Sequence, residues 1–309
     1  MANSPQQLAI DAQHVKRQFD RRGDLSDAEF LYGEVAARML ERLKLIRLTP
    51  EVVLDAGCGN GRRFALLKQR YPDAHLIGVD QSQHLLSQAQ SSLQSTANQT
   101  APWWKRLLTS KETHRPTELV AADLASTNIS PESIDLIWSN LAIHWHPAPH
   151  DVLREWSRLL RPDGLAFFTC WGPGTAQELR QALVRADLTT QTLPLVDMHD
   201  LGDLMVEQGF ADPVMDQETL TLTYDHAEAL LADARALGGN PNPARKASLA
   251  TRQWRKRLLE ALEAGRAPDG KLRLTLEVAY GHAWRGAVRR DAGETRISLQ
   301  SITRKQKDG

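Results

Sequence analysis

Short apolar runs alternate with longer amphipathic segments through the first half of the chain. Five of the runs are typical of buried strands: EVVLDAG, HLIGVD, ELVAAD, SIDLIWSNL and LAFFTCW. Between them, apolar residues recur at the spacing of one helix face, as in RRFALLKQRYP, QSQHLLSQAQSSLQ and HDVLREWSRLLRPDG. Pro162 and Gly164 mark the predicted end of the last of these helices. Strands that alternate with helices favour an α/β fold built on a parallel sheet.

Both ends of the chain add to this pattern. Apolar residues near the N-terminus recur at helical spacing, so the first forty residues are predicted to be helical: Leu31, Val35, Met39, Leu40 and Leu43. In the last third, the helical segment DMHDLGDLMVEQGF comes before two predicted strands, VMDQETLTLTY and KLRLTLEVAYGHAWR, which enclose two further helical segments. This arrangement indicates a sheet that ends in an antiparallel pair, with the enclosed helices capping a ligand crevice.

The predicted architecture is therefore a Rossmann-like, doubly wound and mostly parallel sheet with an antiparallel C-terminal strand, an N-terminal helical arm and inserted cap helices. We predict five segments: a helical arm over 1–48, the core over 49–225, cap helices over 226–268, a final core strand over 269–285, and a basic tail over 286–309 that we expect to be mobile. Residues 91–117 shift in composition to Gln, Ser, Thr and Lys, which we interpret as an insertion carrying Trp103 and Trp104.

Composition excludes several classes of protein. The 38 Lys and Arg residues balance the 38 Asp and Glu residues, so net charge gives no indication of a nucleic-acid partner. No apolar run approaches the roughly 20 residues of a membrane-spanning helix, and the N-terminus lacks the features of a secretory signal, so we expect a cytoplasmic protein without a membrane span. The only two cysteines, Cys58 and Cys170, suit reduced thiols better than a disulfide framework.

The loop VLDAGCGNGRR follows the first predicted strand and borders the crevice where doubly wound sheets bind ligands. Gly57, Gly59 and Gly61 would allow tight turning and a close approach of the backbone to a ligand. Their GxGxG spacing differs from the GxGxxG of dinucleotide sites. Asp55, just before them, opposes a pyrophosphate but favours a ligand with an ammonium or sulfonium charge. The alternative is that Asp55 is only a turn or helix-start residue.

Acids or amides also end the next three predicted strands. Asp80 is placed to accept hydrogen bonds from ribose hydroxyls, or to cap the helix that begins near Gln81. Asp123 and Asn140 end the third and fourth strands. Because the carboxyl ends of parallel strands meet at one edge of the sheet, these residues and Asp55 are predicted to border one crevice.

The order and spacing of LDAGCGNG, GVDQS, AADLA and SIDLIWSNLA resemble the class I methyltransferases, from Val52 to Phe168. The resemblance implies the class I methyltransferase fold and S-adenosyl-L-methionine as the cofactor. It also implies that the glycine loop holds the methionine part, Asp80 the ribose and Asp123 the adenine. The full set of predicted cofactor-binding residues is Asp55, Gly57, Cys58, Gly59, Gly61, Asp80, Gln81, Asp123, Leu124, Asn140 and Ala142.

The acceptor is indicated by the segment after the fourth strand and by the C-terminal segments. Methyltransferases of adenine or glutamine amides carry an Asn/Asp-Pro-Pro-aromatic motif where this chain has SNLAIHW. A carboxylate acceptor, with a pKa of about 4, is already ionised at neutral pH and needs no general base. SNLAIHW, WGPGTAQELRQAL, DMHDLGDLMVEQGFADPVMD and EVAYGHAW together resemble the malonyl-acyl-carrier-protein O-methyltransferases of biotin synthesis. That resemblance implies methylation of the free carboxylate of a malonyl thioester, with acyl carrier protein as partner.

Three residues are predicted to bind the acceptor. His144 and Trp145 follow the fourth strand and either face the acceptor pocket or simply pack. Arg180 suits a carboxylate, although a surface position is an equally good interpretation for it. His144, His146 and His150 lie close in sequence, but no cysteine or carboxylate pattern accompanies them, so we predict no metal site.

Two alternative functions remain open at this point. The SNL and GPGT patterns are shared with methyltransferase-fold assembly factors of mitochondrial complex I, a branch linked to protein arginine hydroxylation; a dependence on iron and oxygen would indicate that activity. The other alternative is a non-catalytic assembly factor, which would bind the cofactor without turning over a carboxylate acceptor.

Overall fold

A computed structural model of the protein describes residues 7–21, 25–99, 117–188, 190–245 and 251–286. Its seven strands are β1 Val52–Ala56, β2 His75–Asp80, β3 Glu118–Ala121, β4 Ile134–Ser139, β5 Leu160–Trp171, β6 Phe210–Tyr224 and β7 Leu272–Arg285. The helices are α1 Ala12–Arg21, α2 Glu29–Leu43, α3 Phe64–Arg70, α4 Gln83–Gln99, α5 Pro149–Leu159, α6 Gln177–Arg185, α7 Met198–Glu207, α8 Ala227–Ala236 and α9 Arg252–Glu263. Short 3-10 turns lie at Ser26–Ala28 and Ile143–Trp145.

All seven strands form one sheet in the order β3-β2-β1-β4-β5-β7-β6. Strands β1 to β5 are parallel, whereas β7 runs antiparallel between β5 and β6. The order reverses between β1 and β4, which is where a doubly wound sheet forms its ligand crevice. The predicted parallel sheet with an antiparallel end is confirmed.

The sheet is buried on both faces because its central strands carry apolar side chains at successive positions. Val53 and Leu54, neighbours in β1, pack into different hydrophobic clusters on opposite faces. One face is covered by α2 and α3 among other elements, and the other by α5 and α7. Trp156 of α5 and Trp138 of β4 are both fully buried. This packing fixes the strand ends that border the crevice.

Several element boundaries differ from the predicted ones. Strand β6 begins at Phe210 and not at Val214, and α4 continues to Gln99. The N-terminal arm contains two helices, α1 and α2, instead of one continuous helix. Helix α5 ends at Leu159, and the backbone at Leu160 is already extended, so Pro162 lies inside β5. The residue before a proline is disfavoured in the helical conformation, which is why the chain leaves the helix before Pro162. Helix α7 ends at Glu207, and Gly209 follows two residues later with a φ of 84°, a conformation that glycine commonly adopts just after a helix.

The structure does not test some of the predictions. Trp103 and Trp104 and the tail beyond residue 286 lie outside the described residues. The division into five segments stays a prediction. None of the described helices combines the length and the apolar character that crossing a membrane requires.

Candidate active site

A cavity with about 1010 Å³ of empty space, partly open to solvent, lies at the carboxyl ends of β1, β2 and β4. We call it the first cavity. Ten of the eleven residues predicted to bind the cofactor line it, and the exception is Gly61. Helices α1 and α2 complete the wall with Ala12, Phe19, Glu29 and Tyr32. The strand-end residues that the sequence pattern predicted to meet are thus brought together.

The glycine loop is shaped by backbone conformations that favour glycine. Gly57, Gly59 and Gly61 have φ angles of 84°, 54° and 73°. A Cβ on Gly57 would lie 2.3 Å from the Cβ of Ala142, so this glycine lets the loop approach the end of β4. A Cβ on Gly61 would instead meet the Phe64 ring at 2.5 Å. Gly61 therefore allows helix α3 to pack on the loop and does not face the first cavity.

Asp55, at the end of β1, is the most deeply buried acid in the first cavity. Its side chain is 2% exposed, and its Oδ2 atom has no hydrogen-bond partner among the described residues. Burial raises its pKa to about 7, against the opposing effect of Arg63, and Asp80 raises it further. A buried carboxylate oxygen without a partner is costly, and a cationic group in the cavity would relieve that cost.

Asp80, at the end of β2, organises the neighbouring backbone. Its Oδ2 accepts a hydrogen bond from the N–H of Gly59 at 2.9 Å, and its Oδ1 accepts one from Ser82 at 2.8 Å. Burial raises its pKa, and the backbone donors act in the opposite direction. A carboxylate has about four acceptor sites, so acceptor capacity remains for a ligand hydroxyl. Asp80 can thus hold the glycine loop and a ribose at once.

Asp123 and His146 form a pair in the wall of the first cavity. The Nε2 atom of His146 lies 3.1 Å from Oδ1 of Asp123, and Nδ1 lies 3.0 Å from the backbone nitrogen of Ala148. Since an ionised carboxylate only accepts, Nε2 carries the proton and donates it to Asp123. The hydrogen bond from His146 is the main cause that lowers the pKa of Asp123. Ala125 also donates its backbone N–H to Asp123 Oδ1, at 2.7 Å.

Asn140 connects three elements at the end of β4. Its amide nitrogen donates to the carbonyl of Tyr32 at 3.0 Å, and its amide oxygen accepts from the Thr169 hydroxyl at 3.1 Å. Asn140 lines the first cavity as predicted. Its contacts also tie α2 to the sheet, so Tyr32 is held at the cavity through Asn140.

Trp145 separates the first cavity from a second cavity, which lies between α6, α8, α9 and β7 and is described below. It is 7% exposed, and its indole nitrogen has no hydrogen-bond partner among the described residues. Phe19 of α1 packs edge-on against its ring, at 5.6 Å between centroids. On the other side a Cβ on Gly238 would lie 1.9 Å from the ring, so the absence of a side chain there makes room for the indole.

His144 lies apart from both of these cavities. It lines a smaller one of about 250 Å³ with Cys170 and Trp171 and packs against Trp145, at 4.9 Å between ring centroids. Neither of its ring nitrogens has a hydrogen-bond partner among the described residues. Burial lowers its pKa to about 3, so the ring is neutral.

The second cavity contains about 1440 Å³ of empty space, part of it solvent, between α6, α8, α9 and β7. Trp145 is the one described residue that lines both cavities. Arg180 lines the second cavity, and its guanidinium donates to the carbonyls of Thr175 at 2.5 Å and Pro173 at 2.6 Å. These contacts hold the turn that follows β5.

Several residues of the first cavity were not among the predicted site residues. Glu29 of α2 forms an ion pair with Arg63 and lies 3.8 Å from Arg62, both in the glycine loop. Phe19, Tyr32 and His146 also line the cavity. The two arginines directly after GxGxG are a sequence signal for an acidic neighbour, but nothing in the sequence identifies Glu29 as that neighbour.

No group of three or more His, Cys, Asp or Glu side chains converges on a possible metal site within the described part of the chain. His146 bonds Asp123, while His150 lies 3.4 Å from Asp151. His144, His146 and His150 therefore serve separate contacts.

Sequence comparisons agree with this geometry. A family model described as a methyltransferase domain matches residues 54–168. A malonyl-acyl-carrier-protein O-methyltransferase of Laribacter hongkongensis is 41% identical over 283 residues, which cover 90% of this chain and 91% of that one. The enzyme of that name from Nitrosospira multiformis is 39% identical, with 91% of each chain covered.

Solved structures show the same fold at low sequence identity. The YcgJ protein of Bacillus subtilis has a TM-score of 0.54 and 15% identity, with 82% of this chain and 99% of that one covered. A phosphoethanolamine N-methyltransferase of Haemonchus contortus, solved with S-adenosyl-L-methionine, has a TM-score of 0.54 and 14% identity, with 88% and 60% covered.

The sheet order and the cavity at its switch point define a class I methyltransferase, whose cofactor is S-adenosyl-L-methionine. Within that class, identity of 36% to 41% over nine-tenths of the chain places it in one family. The chain belongs to the malonyl-acyl-carrier-protein O-methyltransferases.

The residues of the first cavity fit this cofactor. Asp55 offers an unpartnered carboxylate oxygen to a cationic group, and Asp80 keeps acceptor sites for hydroxyls. The close approach of Gly57 to Ala142 leaves backbone, not side chains, at the wall. The same lining would suit a pyrophosphate poorly, because Asp55, Asp80 and Asp123 all face the cavity.

Proposed function

We propose that this protein transfers a methyl group from S-adenosyl-L-methionine to the free carboxylate of a malonyl thioester on acyl carrier protein, as a step in the synthesis of a biotin precursor. The observation that carries the proposal is the 41% identity to an enzyme of that name across nine-tenths of both chains. The bound cofactor supplies a methyl group made electrophilic by its sulfonium sulfur.

The eleven predicted cofactor residues are proposed to act in five ways. Asp55 pairs with positive charge, Asp80 accepts from ribose hydroxyls, and Asp123, held by His146, accepts from the adenine edge. Of the remaining residues, Gln81, Leu124, Asn140, Ala142 and the loop from Gly57 to Gly59 shape the wall, whereas Gly61 acts through the packing of Phe64. These assignments are supported by the lining of the first cavity and by the hydrogen bonds of Asp80 and Asp123.

The acceptor requires orientation and not proton removal, because its carboxylate is ionised at neutral pH. A site that aligns two reactants and excludes water accelerates such a transfer without a general base. We propose that Trp145 performs this role, since its buried indole N–H is unpartnered and can donate to an acceptor oxygen. His144, packed against Trp145, acts only by holding that ring in place.

Arg180 is proposed to attract the acceptor from the side of the second cavity. A guanidinium has five N–H donors, and two of those of Arg180 go to Thr175 and Pro173. Three therefore remain for an acceptor carboxylate. The relatives' names support acyl carrier protein as the partner. The cytoplasmic location remains a prediction from sequence.

Methyl-labelled S-adenosyl-L-methionine and malonyl carrier protein provide the direct test. We expect label to enter the carrier protein as a base-labile methyl ester. Acetyl carrier protein is the matched control, because it has the same thioester but no free carboxylate, and it should remain unlabelled. Cofactor binding measured by calorimetry, together with no label on malonyl carrier protein, would contradict the proposal.

A further inference from the structure

The second cavity combines an extended leucine surface with arginines. Nine of its described lining residues are leucines, contributed by α6, the segment after it, α8, α9 and β7. None of the described lining residues is Asp or Glu. The first cavity, by contrast, is lined by Asp55, Asp80 and Asp123. The chemistry of the second cavity is therefore apolar and cationic.

Arg245 is a cationic group of this cavity whose described contacts are with neutral atoms. Its guanidinium donates to the carbonyl of Asn242 at 3.0 Å and lies 2.8 Å from Nδ1 of His14 in α1. Burial lowers the pKa of His14, and the charge of Arg245 lowers it further, so this ring is a neutral acceptor. A guanidinium next to an apolar wall favours a ligand oxygen that has an apolar body attached.

A malonyl group alone does not account for this surface. It has a single methylene, whereas Leu179, Leu193 and Leu195 are only partly buried and still present apolar surface to the cavity. The other six leucines are packed in the core and form the floor beneath that surface. The amides of a pantetheine arm would also lose hydrogen bonds against leucine side chains. Without the open solvent, the cavity volume is about 380 Å³, which is within the range of ligand pockets that begins at roughly 300 Å³. A longer apolar ligand fits the lining better.

We propose that the second cavity binds a linear alkyl chain ending in a carbonyl oxygen, the fatty-acyl class of ligand. The leucines contact the chain, and Arg245 donates to the oxygen. The ligand can be a free fatty acid or an acyl thioester, which share this chemistry. The site goes beyond the proposed methyl transfer and does not rest on it. Because Trp145 lines both cavities, an occupied second cavity would also alter the acceptor side of the first.

Calorimetry with hexanoate, octanoate and decanoate tests whether affinity increases with the length of the alkyl chain. Burial of each methylene should tighten binding about fourfold until the cavity is filled. Decanedioate has the length of decanoate but a second charge at the far end, and it should bind roughly tenfold more weakly or worse. Decanoyl-pantetheine distinguishes the two sources: tighter binding than decanoate indicates a thioester, and weaker binding indicates a free acid. Either result supports the site, whereas binding by neither overturns it.

Variants then locate the binding. Ala234→Trp fills the cavity from α8, and the matched control Ala232→Trp places the same side chain on the exposed face of that helix. We expect decanoate binding to be lost in Ala234→Trp and retained in Ala232→Trp. Leu179→Ser, a smaller change on the opposite wall, should reduce the affinity for decanoate several-fold. Calorimetry with S-adenosylhomocysteine checks that each variant is folded, since that ligand belongs to the first cavity.

Equal decanoate affinity in Ala234→Trp and the native protein would overturn the proposal, as would an affinity independent of chain length. Strict competition would also overturn it: if the apparent dissociation constant of decanoate rises in proportion to the S-adenosylhomocysteine concentration without a plateau, both ligands occupy the first cavity. Coupling through Trp145 would instead give a limited change that reaches a plateau. Failure of the methyl-transfer assay leaves these measurements intact, so the two proposals can fail separately.

Discussion

The first and second cavities meet at the indole of Trp145, yet they are built from different residues. Strand ends supply the first cavity with acids and with backbone, whereas helix faces and β7 supply the second with leucines and arginines. The hydrogen-bond register of a parallel sheet fixes the positions of its strand ends. The polar side chains at those ends therefore have little freedom to move relative to one another. The second cavity is bordered by helices that were inserted between β6 and β7.

This difference corresponds to two requirements of a class I methyltransferase: a constant site for the cofactor and a variable site for the acceptor. The cofactor is common to the class, and the acids proposed to hold it lie in strands of the sheet or directly after them. The acceptor differs among members, and the Trp145 wall and the helices bordering the second cavity can change without disturbing β1 or β2. Changes to the acids should therefore affect only ligands of the first cavity.

Asp80→Ala should give the largest effect. Removal of its carboxylate leaves the Gly59 and Ser82 donors without their acceptor and deletes the proposed ribose contacts. We expect the affinity for S-adenosyl-L-methionine to fall by about 1–3 kcal/mol, or about 5- to 150-fold, in calorimetry. Asp203→Ala, an exposed acid of α7, is the control. Decanoate binding should be unchanged in both variants, and an unchanged cofactor affinity in Asp80→Ala would contradict the role of Asp80.

The same comparison shows how far sequence reasoning reaches. The β1–α3–β2 alternation and the glycine loop are local patterns, so they predicted the sheet, and ten of the eleven predicted cofactor-binding residues line the first cavity. Gly61 was assigned to the cofactor because it belongs to the GxGxG run. Its packing against Phe64 depends on where α3 crosses the loop, which spacing alone does not define.

Contacts between segments that are distant in the chain could not be predicted from the sequence. Glu29 meets Arg63 and Tyr32 meets Asn140 only after α2 folds over the sheet. Phe19 meets Trp145 for a similar reason. The second cavity could not be predicted either, because its leucines come from four elements whose helical or strand periodicity also suits an ordinary core.

The pH dependence of cofactor binding should follow the ionisation of the Asp55 carboxyl group. Its pKa of about 7 means that the carboxyl group is ionised above pH 7 and neutral below it. A cationic ligand favours the ionised form, so affinity should fall roughly eightfold between pH 7.5 and pH 6 as the ionised fraction falls. Asp55→Asn should bind more weakly at pH 7.5 and lose this dependence. A native pH profile in Asp55→Asn would show that another group titrates, while decanoate binding to the second cavity should not follow the profile of Asp55.

His146→Ala should give the smallest effect of the three, because it removes one hydrogen bond to a carboxylate that Ala125 still holds. Asp123 is 47% exposed, so water can replace the lost donor, and the effect should be that of an ordinary hydrogen bond, about 0.5–1.5 kcal/mol. Cofactor affinity should then fall about 2- to 13-fold. His199→Ala is the matched control, since His199 also contacts a carboxylate, Asp197, but is 79% exposed and remote from the first cavity. His146→Gln keeps an N–H donor and should recover part of the affinity. If His146→Ala binds the cofactor like the control, the backbone N–H of Ala125 is sufficient to position Asp123, and the hydrogen bond from His146 does not contribute to cofactor binding.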